Sequence, residues 1–142
     1  MSLSDWASGR EGADIVGDGI VRVRTDLMLP DGHLIDVFVQ PAQGGYRVCD
    51  QGQCAAYLSD TGHDPYSPTG AVRSRSEDIC EAYGVEWDGG ALTRRSDDIV
   101  GLSGAIVRVS SAQLALAWRC YHRHRPTPYT GECFLCGSVE AS

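Results

Sequence analysis

Residues 20–39 constrain the fold most. "IVRVRTDLML" alternates Ile20, Arg22 and Arg24 against Val21 and Val23, and "HLIDVFVQ" sets Leu34, Asp36 and Phe38 against Ile35, Val37 and Val39. A period of two sends neighbouring side chains to opposite sides of a strand, so each segment has one face suited to burial and one suited to water. Pro30-Asp31-Gly32 between them reads as a hairpin turn with its required glycine. "GGYRVCD" adds a third strand after the Gln43-Gly44-Gly45 turn, giving an antiparallel meander.

After Asp50 the period lengthens. Asp50 is expected as an N-cap with Gln53 as its capping-box partner, and Gly62 as the left-handed stop. Cys54, Tyr57 and Leu58 fall at i, i+3, i+4, the spacing of a core stripe. A polar loop leads to a second helix, with Ser74 as cap, Glu77 as box partner, Val72, Ser76, Ile79, Cys80 and Tyr83 as buried face, and Gly84 closing it. "VEWDGGALTRR" reads as a hairpin of Val85–Trp87 and Ala91–Arg95 about Asp88-Gly89-Gly90. Ser96, with Asp97 and Asp98 in the first turn, is expected to cap a long helix carrying Ile99, Leu102, Ile106 and Val109. A restart is offered at Ser110, and the apolar period runs on through Leu114, Ala117, Trp118 and Tyr121 until Pro126.

The expected fold class is α+β: a small antiparallel sheet, meander plus hairpin, with helices packed on one face in the order β-β-β-α-α-β-β-α. Residues 1–18 read as a lead-in with at most a short helix over 5–10, residues 19–118 as the domain, and residues 119–142 as a Cys/His-rich tail.

The strand ending in Thr25, the Asp-Gly turn, "IDVFV", "GGYRVCDQGQ", a Leu-bearing helix ended by Gly, "EAYGVEWDGGAL" and the "AIVRV" helix together resemble the family catalogued as domain of unknown function 1828. The resemblance covers roughly residues 19–118, and its most specific parts are the Y-x-V-x-D-x-G turn and the YGV-x-x-DGG-x-L hairpin. The chain departs from the family's usual Asp-Asp-Gly by having Asp50-Gln51-Gly52. The resemblance implies a setting of short bacterial, prophage and mobile-element proteins that modulate other proteins. It implies no catalytic residues.

The 142 residues fit one domain with a full core, and no stretch has the apolar length of a membrane span. The N-terminus lacks a basic leader followed by an apolar run, so a cytoplasmic protein is expected. The net charge of −7 argues against non-specific attraction to nucleic acid or anionic membrane. All 12 cations are Arg, which excludes Schiff-base chemistry through a lysine.

Three constellations could carry chemistry. Cys54, near a helix start, could be a thiolate nucleophile with His63 as its base; its place on the apolar stripe argues for core instead. In the tail, Cys133-Phe-Leu-Cys136-Gly137 is a zinc-knuckle spacing. If the last helix persists, Cys120 and His124 stand at i and i+4 on one face and complete a tetrahedral set; if it ends by Cys120, Cys120-x-His122 is the alternative pair. Four protein ligands leave no open position, so such a Zn²⁺ would be structural. Arg119, Arg123 and Arg125 form the locally basic patch, read either as phosphate contacts or as cations at a helix C-terminus.

The leading expectation is a non-enzymatic protein-binding module of mobile-element or phage type, an inhibitor or modulator of a host defence or regulatory protein. Its acidic surface suits a partner with a basic, nucleic-acid-binding groove, and Asp50 and Gln51 are candidate contacts as an exposed loop. The alternatives are a zinc-stabilised nucleic-acid-binding module acting through the basic helix end, and a thiol-dependent enzyme using Cys54 and His63. An edge strand of so small a sheet also offers a route to a homodimer.

Overall fold

The computed structural model describes residues 1–121. Ala13–Gly17 forms β1, Ile20–Met28 β2, Leu34–Ala42 β3 and Gly45–Cys49 β4, following a short helix α1 over Leu3–Ser8. Gln53–Asp60 (α2) and Ala71–Tyr83 (α3) come next, then Glu86–Asp88 (β5), Ala91–Ser96 (β6) and the long helix α4 over Leu102–Cys120. The six strands make one antiparallel sheet in the order β1-β2-β3-β4-β6-β5. The α+β class and the meander-plus-hairpin plan hold.

The alternation places Val21 and Val23, Ile35, Val37 and Val39, Val48 and Leu92 under the helices, all almost wholly buried. Helix α4 lies across β2, β3, β4 and β6 and packs against α2 and α3. Its inner stripe of Leu102, Ala105, Ile106, Val109, Leu116 and Cys120 fills the space above those strands. The other side of the sheet is a lattice of ion pairs: Arg22 with Asp14 at 3.3 Å, Arg24 with Asp36 at 3.2 Å, Arg47 with Asp88 at 3.4 Å and Arg95 with Asp97 at 3.5 Å. Partly exposed pairs of this kind add little stability, but they neutralise four arginines that sequence alone leaves unpaired.

Several boundaries differ from expectation. The segment read as a lead-in holds α1, closed by a Ser2–Asp5 capping box, and β1, which extends the sheet by pairing with β2. Helix α3 starts at Ala71 behind Gly70, so Ser74 and Glu77 do not cap it. Ser96 ends β6 instead of opening α4; its hydroxyl donates to the carbonyl of Asp98, and α4 begins at Leu102. There is no restart at Ser110, whose hydroxyl donates back to the Ile106 carbonyl at 2.7 Å within one continuous helix. That helix ends at Cys120, with Tyr121 extended, well before Pro126. Trp118 and Tyr121 continue the apolar period in sequence but face outward, edge to face at 5.2 Å.

Candidate functional site

One end of the sheet gathers the β2–β3 turn, the turn from β4 into α2, the β5–β6 turn and the C-terminus of α4. Its most densely hydrogen-bonded part is the turn at Asp50. The Asp50 side chain is wholly buried and accepts three backbone N–H bonds. Oδ1 takes Gly52 and Leu92, each at 2.9 Å, and Oδ2 takes Cys54 at 3.2 Å. One carboxylate therefore ties the end of β4, the first turn of α2 and the start of β6 together. Burial pushes the Asp50 pKa up, opposed by those three bonds to the charged form.

The residues between are held in an uncommon geometry. Gln51 is exposed at φ 51°, and Gly52 follows at φ 78°. A side chain at positive φ costs of order 1–3 kcal/mol and persists only where its surroundings over-determine it. The Asp50 bonds do that here. Asp50 is thus an anchor rather than an N-cap: Gly52 occupies the cap position. Gln53 does not reach back to complete a capping box. Its Oε1 accepts from the Asp36 N–H at 2.9 Å and from Gln113 Nε2 at 3.1 Å, and its Nε2 donates to the Leu34 carbonyl at 3.0 Å. The β4–α2 turn is therefore braced against β3, β6 and α4 at once.

The β5–β6 turn lies beside it. A Cβ built on Gly52 would be 3.8 Å from the Gly90 carbonyl, and one on Gly90 would meet Tyr66 Cε1 at 2.7 Å. Gly90 must stay glycine for the Tyr66 ring to lie over the turn. Tyr66, 61% exposed, is set by the Asp64 carboxylate, which accepts from the Tyr66 and Ser67 N–H groups at 3.0 and 3.2 Å. Gln51 and Tyr66 thus project from neighbouring loops on a braced base, and Asp88, the last residue of β5, stands at the start of the adjoining turn with its carboxylate 3.4 Å from Arg47. Sequence reasoning named Gln51 but missed Tyr66 and Asp88; the Asp-Gly-Gly pattern revealed the turn, not its neighbours.

Cys54 belongs to the core. It is fully buried, its thiol donates to the Gln113 carbonyl at 3.6 Å, and burial first, then the charges of Asp50 and Cys120, push its pKa well up. A thiol so placed is held protonated, the reverse of an activated nucleophile. His63 follows the end of α2, where its N–H bonds the Leu58 carbonyl at 2.9 Å, Gly62 stands at φ 89° and the Gly62 N–H reaches the Ser59 carbonyl at 3.2 Å. Gly62 is the helix stop, as expected. The His63 ring has Nδ1 3.3 Å from Thr61 Oγ1.

His63 and Cys120 line a common cavity of about 260 Å³, with Tyr57 of α2, Thr61 at the C-cap of that helix, Tyr121, and Pro30 and Asp31 of the β2–β3 turn; Cys54 is not in its wall. Helix α4 ends at Cys120 with Tyr121 extended, and the expected pairing of Cys120 with His124 or His122 lies outside the described residues. Arg119 is exposed on the last turn of α4. His122, Arg123, His124, Arg125, Cys133 and Cys136 lie outside the described residues. Among the described residues, no three His, Cys, Asp or Glu side chains are grouped to hold a metal ion.

Among the described residues no helix is long and apolar enough to cross a membrane. No protein-family model, curated protein or solved structure matches the chain, so the resemblance to the domain of unknown function 1828 family rests on its motifs alone.

Proposed function

We propose that the chain is a non-enzymatic protein-binding module that docks through the loops bearing Gln51 and Tyr66 and the adjoining end of β5 at Asp88. The observation that carries this reading is the positive φ of exposed Gln51, enforced by a buried carboxylate that bonds three separate backbone segments. Strain of that sort, kept on an exposed loop, is a common mark of a recognition surface, and a braced loop loses little entropy on binding. Tyr66 supplies an aromatic anchor of the type enriched at interface hot spots.

The partner is a protein with a basic docking groove, because the chain carries −7 and its open sheet face has its arginines paired with aspartates. The setting implied by the family resemblance makes a host defence or regulatory protein the target class, with the module as its inhibitor or modulator.

The test is capture from the native host with the wild-type chain beside Gln51→Gly and Tyr66→Ala, followed by titration of the purified captured protein. A basic partner is expected, bound by the wild type, weakened by salt, and losing about 1–2 kcal/mol or more of affinity with Tyr66→Ala. Undiminished binding by both variants, or an affinity indifferent to salt, would remove the proposal.

A further inference from the structure

We propose that the free edge of β1 pairs with the same strand of a second copy of this chain, giving a two-fold homodimer centred on Ile15. The inference stands apart from the docking surface, which lies at the β4–α2 turn and β5, away from β1 in the strand order.

The core face of the sheet carries a cross-strand row of β-branched residues. Ile15 opposes Val21, Val21 opposes Val39, and Val39 opposes Val48. The three valines are buried to 1% or less, whereas Ile15, at the outer end of the row, is 57% exposed, with Val16 beside it at 47%. The backbone is unfinished in the same place. The Arg24 N–H bonds the Gly12 carbonyl at 2.9 Å, so Gly12 and, two residues on, Asp14 turn their polar groups toward β2, and those of Ile15 point away from it. The opposite edge is treated differently: β5 has three residues, and its Trp87 is flanked by exposed Glu86 and Asp88, charges of one sign that discourage pairing. On β1 Asp14 is the single ionisable residue, and its carboxylate lies 3.3 Å from Arg22 of its own chain.

An antiparallel strand completes this edge, and a second copy fits it by symmetry. About a two-fold axis at Ile15, the outward N–H and carbonyl of Ile15 bond those of the second Ile15. Ala13 then falls opposite Gly17 and Asp14 opposite Val16, so no two acids are directly opposed. The row of Val48, Val39, Val21 and Ile15 continues into the same four residues of the second copy, and the exposed isoleucines cover each other. Five residues of edge bury less than the about 1,200 Å² of a standard interface, so the dimer is weak and reversible, with a Kd between about 1 μM and 1 mM. Two copies at −7 repel, so added salt tightens the dimer, the reverse of the salt dependence expected for a basic partner.

Sedimentation equilibrium of the full chain across that concentration range, at low and moderate salt, reads the association. The wild type should pass from monomer to dimer, and Ile15→Lys should weaken the dimer by more than about 10-fold, because it sets two like charges directly opposite. Val107→Lys makes the same change of charge at a 60% exposed position on α4 and should leave association as it is. Ile15→Cys reads the register without relying on charge: hydrogen-bonded antiparallel partners have Cα atoms about 5.5 Å apart, within disulfide reach, so mild oxidation should cross-link two chains well above the wild-type background. Val16→Cys, diagonal to its own copy, should cross-link far less. A chain that stays monomeric throughout, a dimer untouched by Ile15→Lys, or equal cross-linking from positions 15 and 16 overturns the proposal.

Discussion

Among the described residues two side chains other than glycine stand at positive φ, each followed by a glycine at positive φ, with nearly equal angles: Asp18-Gly19 at 47° and 74°, Gln51-Gly52 at 51° and 78°. The first joins β1 to β2. Asp-Gly is the preferred chemistry of a two-residue hairpin, the glycines on either side meet nothing within 4 Å, and local propensity alone accounts for it. The second joins a strand to a helix and carries glutamine, which has no such preference. Its conformation is imposed from outside, by Asp50 reaching Gly52, Cys54 and, 42 residues away, Leu92. The same pair of positive φ angles is turn chemistry in one place and tertiary constraint in the other.

The largest effect should come from cutting that constraint. Asp50→Ala leaves the N–H groups of Gly52, Cys54 and Leu92 without their side-chain acceptor, and unsatisfied buried donors cost about 1–3 kcal/mol each. A loss of about 3–5 kcal/mol is expected, read as a lower midpoint in urea. Alkylation of Cys54, which needs an opening of the α2–α4 contact, should accelerate in the same variant by about 100-fold or more. Asp18→Ala should cost no more than about 1–2 kcal/mol, because both side chains carry a Cβ and only the local hydrogen bonding that lets aspartate tolerate the left-handed region is lost. Equal losses at the two turns would erase the distinction between them.

The two turns also differ in how much the sequence discloses. Alternation over residues 20–39 and the Asp-Gly and Gly-Gly pairs made β2, β3, β4 and the β5–β6 hairpin legible, because each signal is local. The i, i+3, i+4 stripe placed Cys54, Tyr57 and Leu58 in the core correctly for the same reason. Misreadings arose where a local motif had a distant competitor. Asp50-x-x-Gln53 has the form of a capping box, but Gln53 is taken by Leu34, Asp36 and Gln113. Ser96 before two aspartates looks like a helix start, yet it pairs with Tyr46 as the last residue of β6. Of the candidate site, Gln51 was visible as a departure from a motif. Tyr66 beside Gly90, and His63 sharing a wall with Cys120, join segments whose proximity only the fold creates.

A smaller effect, with a definite sign, follows from the buried charge. Burial raises the folded pKa of Asp50, so between its unfolded and folded values the native state binds more protons than the unfolded chain. Stability from this group is therefore fully present below the unfolded pKa and is lost as pH rises through the folded one. Asp50→Asn carries no such titration and keeps two of the three acceptor bonds. The wild type should exceed it by about 1–3 kcal/mol at acid pH, the gap narrowing as pH rises through the raised carboxyl range. Melting curves of the pair across pH 3.5–7, in which the other carboxylates cancel, give the comparison; a gap that widens with pH would reverse the assigned direction.

The smallest stability effect is the most diagnostic. Gln51→Gly relieves the positive-φ strain but gives the unfolded chain more freedom, worth about 0.4–1 kcal/mol in the opposite sense. A net gain of up to about 1 kcal/mol is expected in chemical denaturation. Asp18→Gly relieves little, since aspartate tolerates this region, and should be neutral or slightly destabilising. If the loop is kept strained for docking, Gln51→Gly becomes more stable while binding less well, and Asp18→Gly leaves partner affinity unchanged. A residue retained only for folding would not separate stability from affinity in that way, so parallel movement of the two in Gln51→Gly would return this turn to the class of its β1–β2 counterpart.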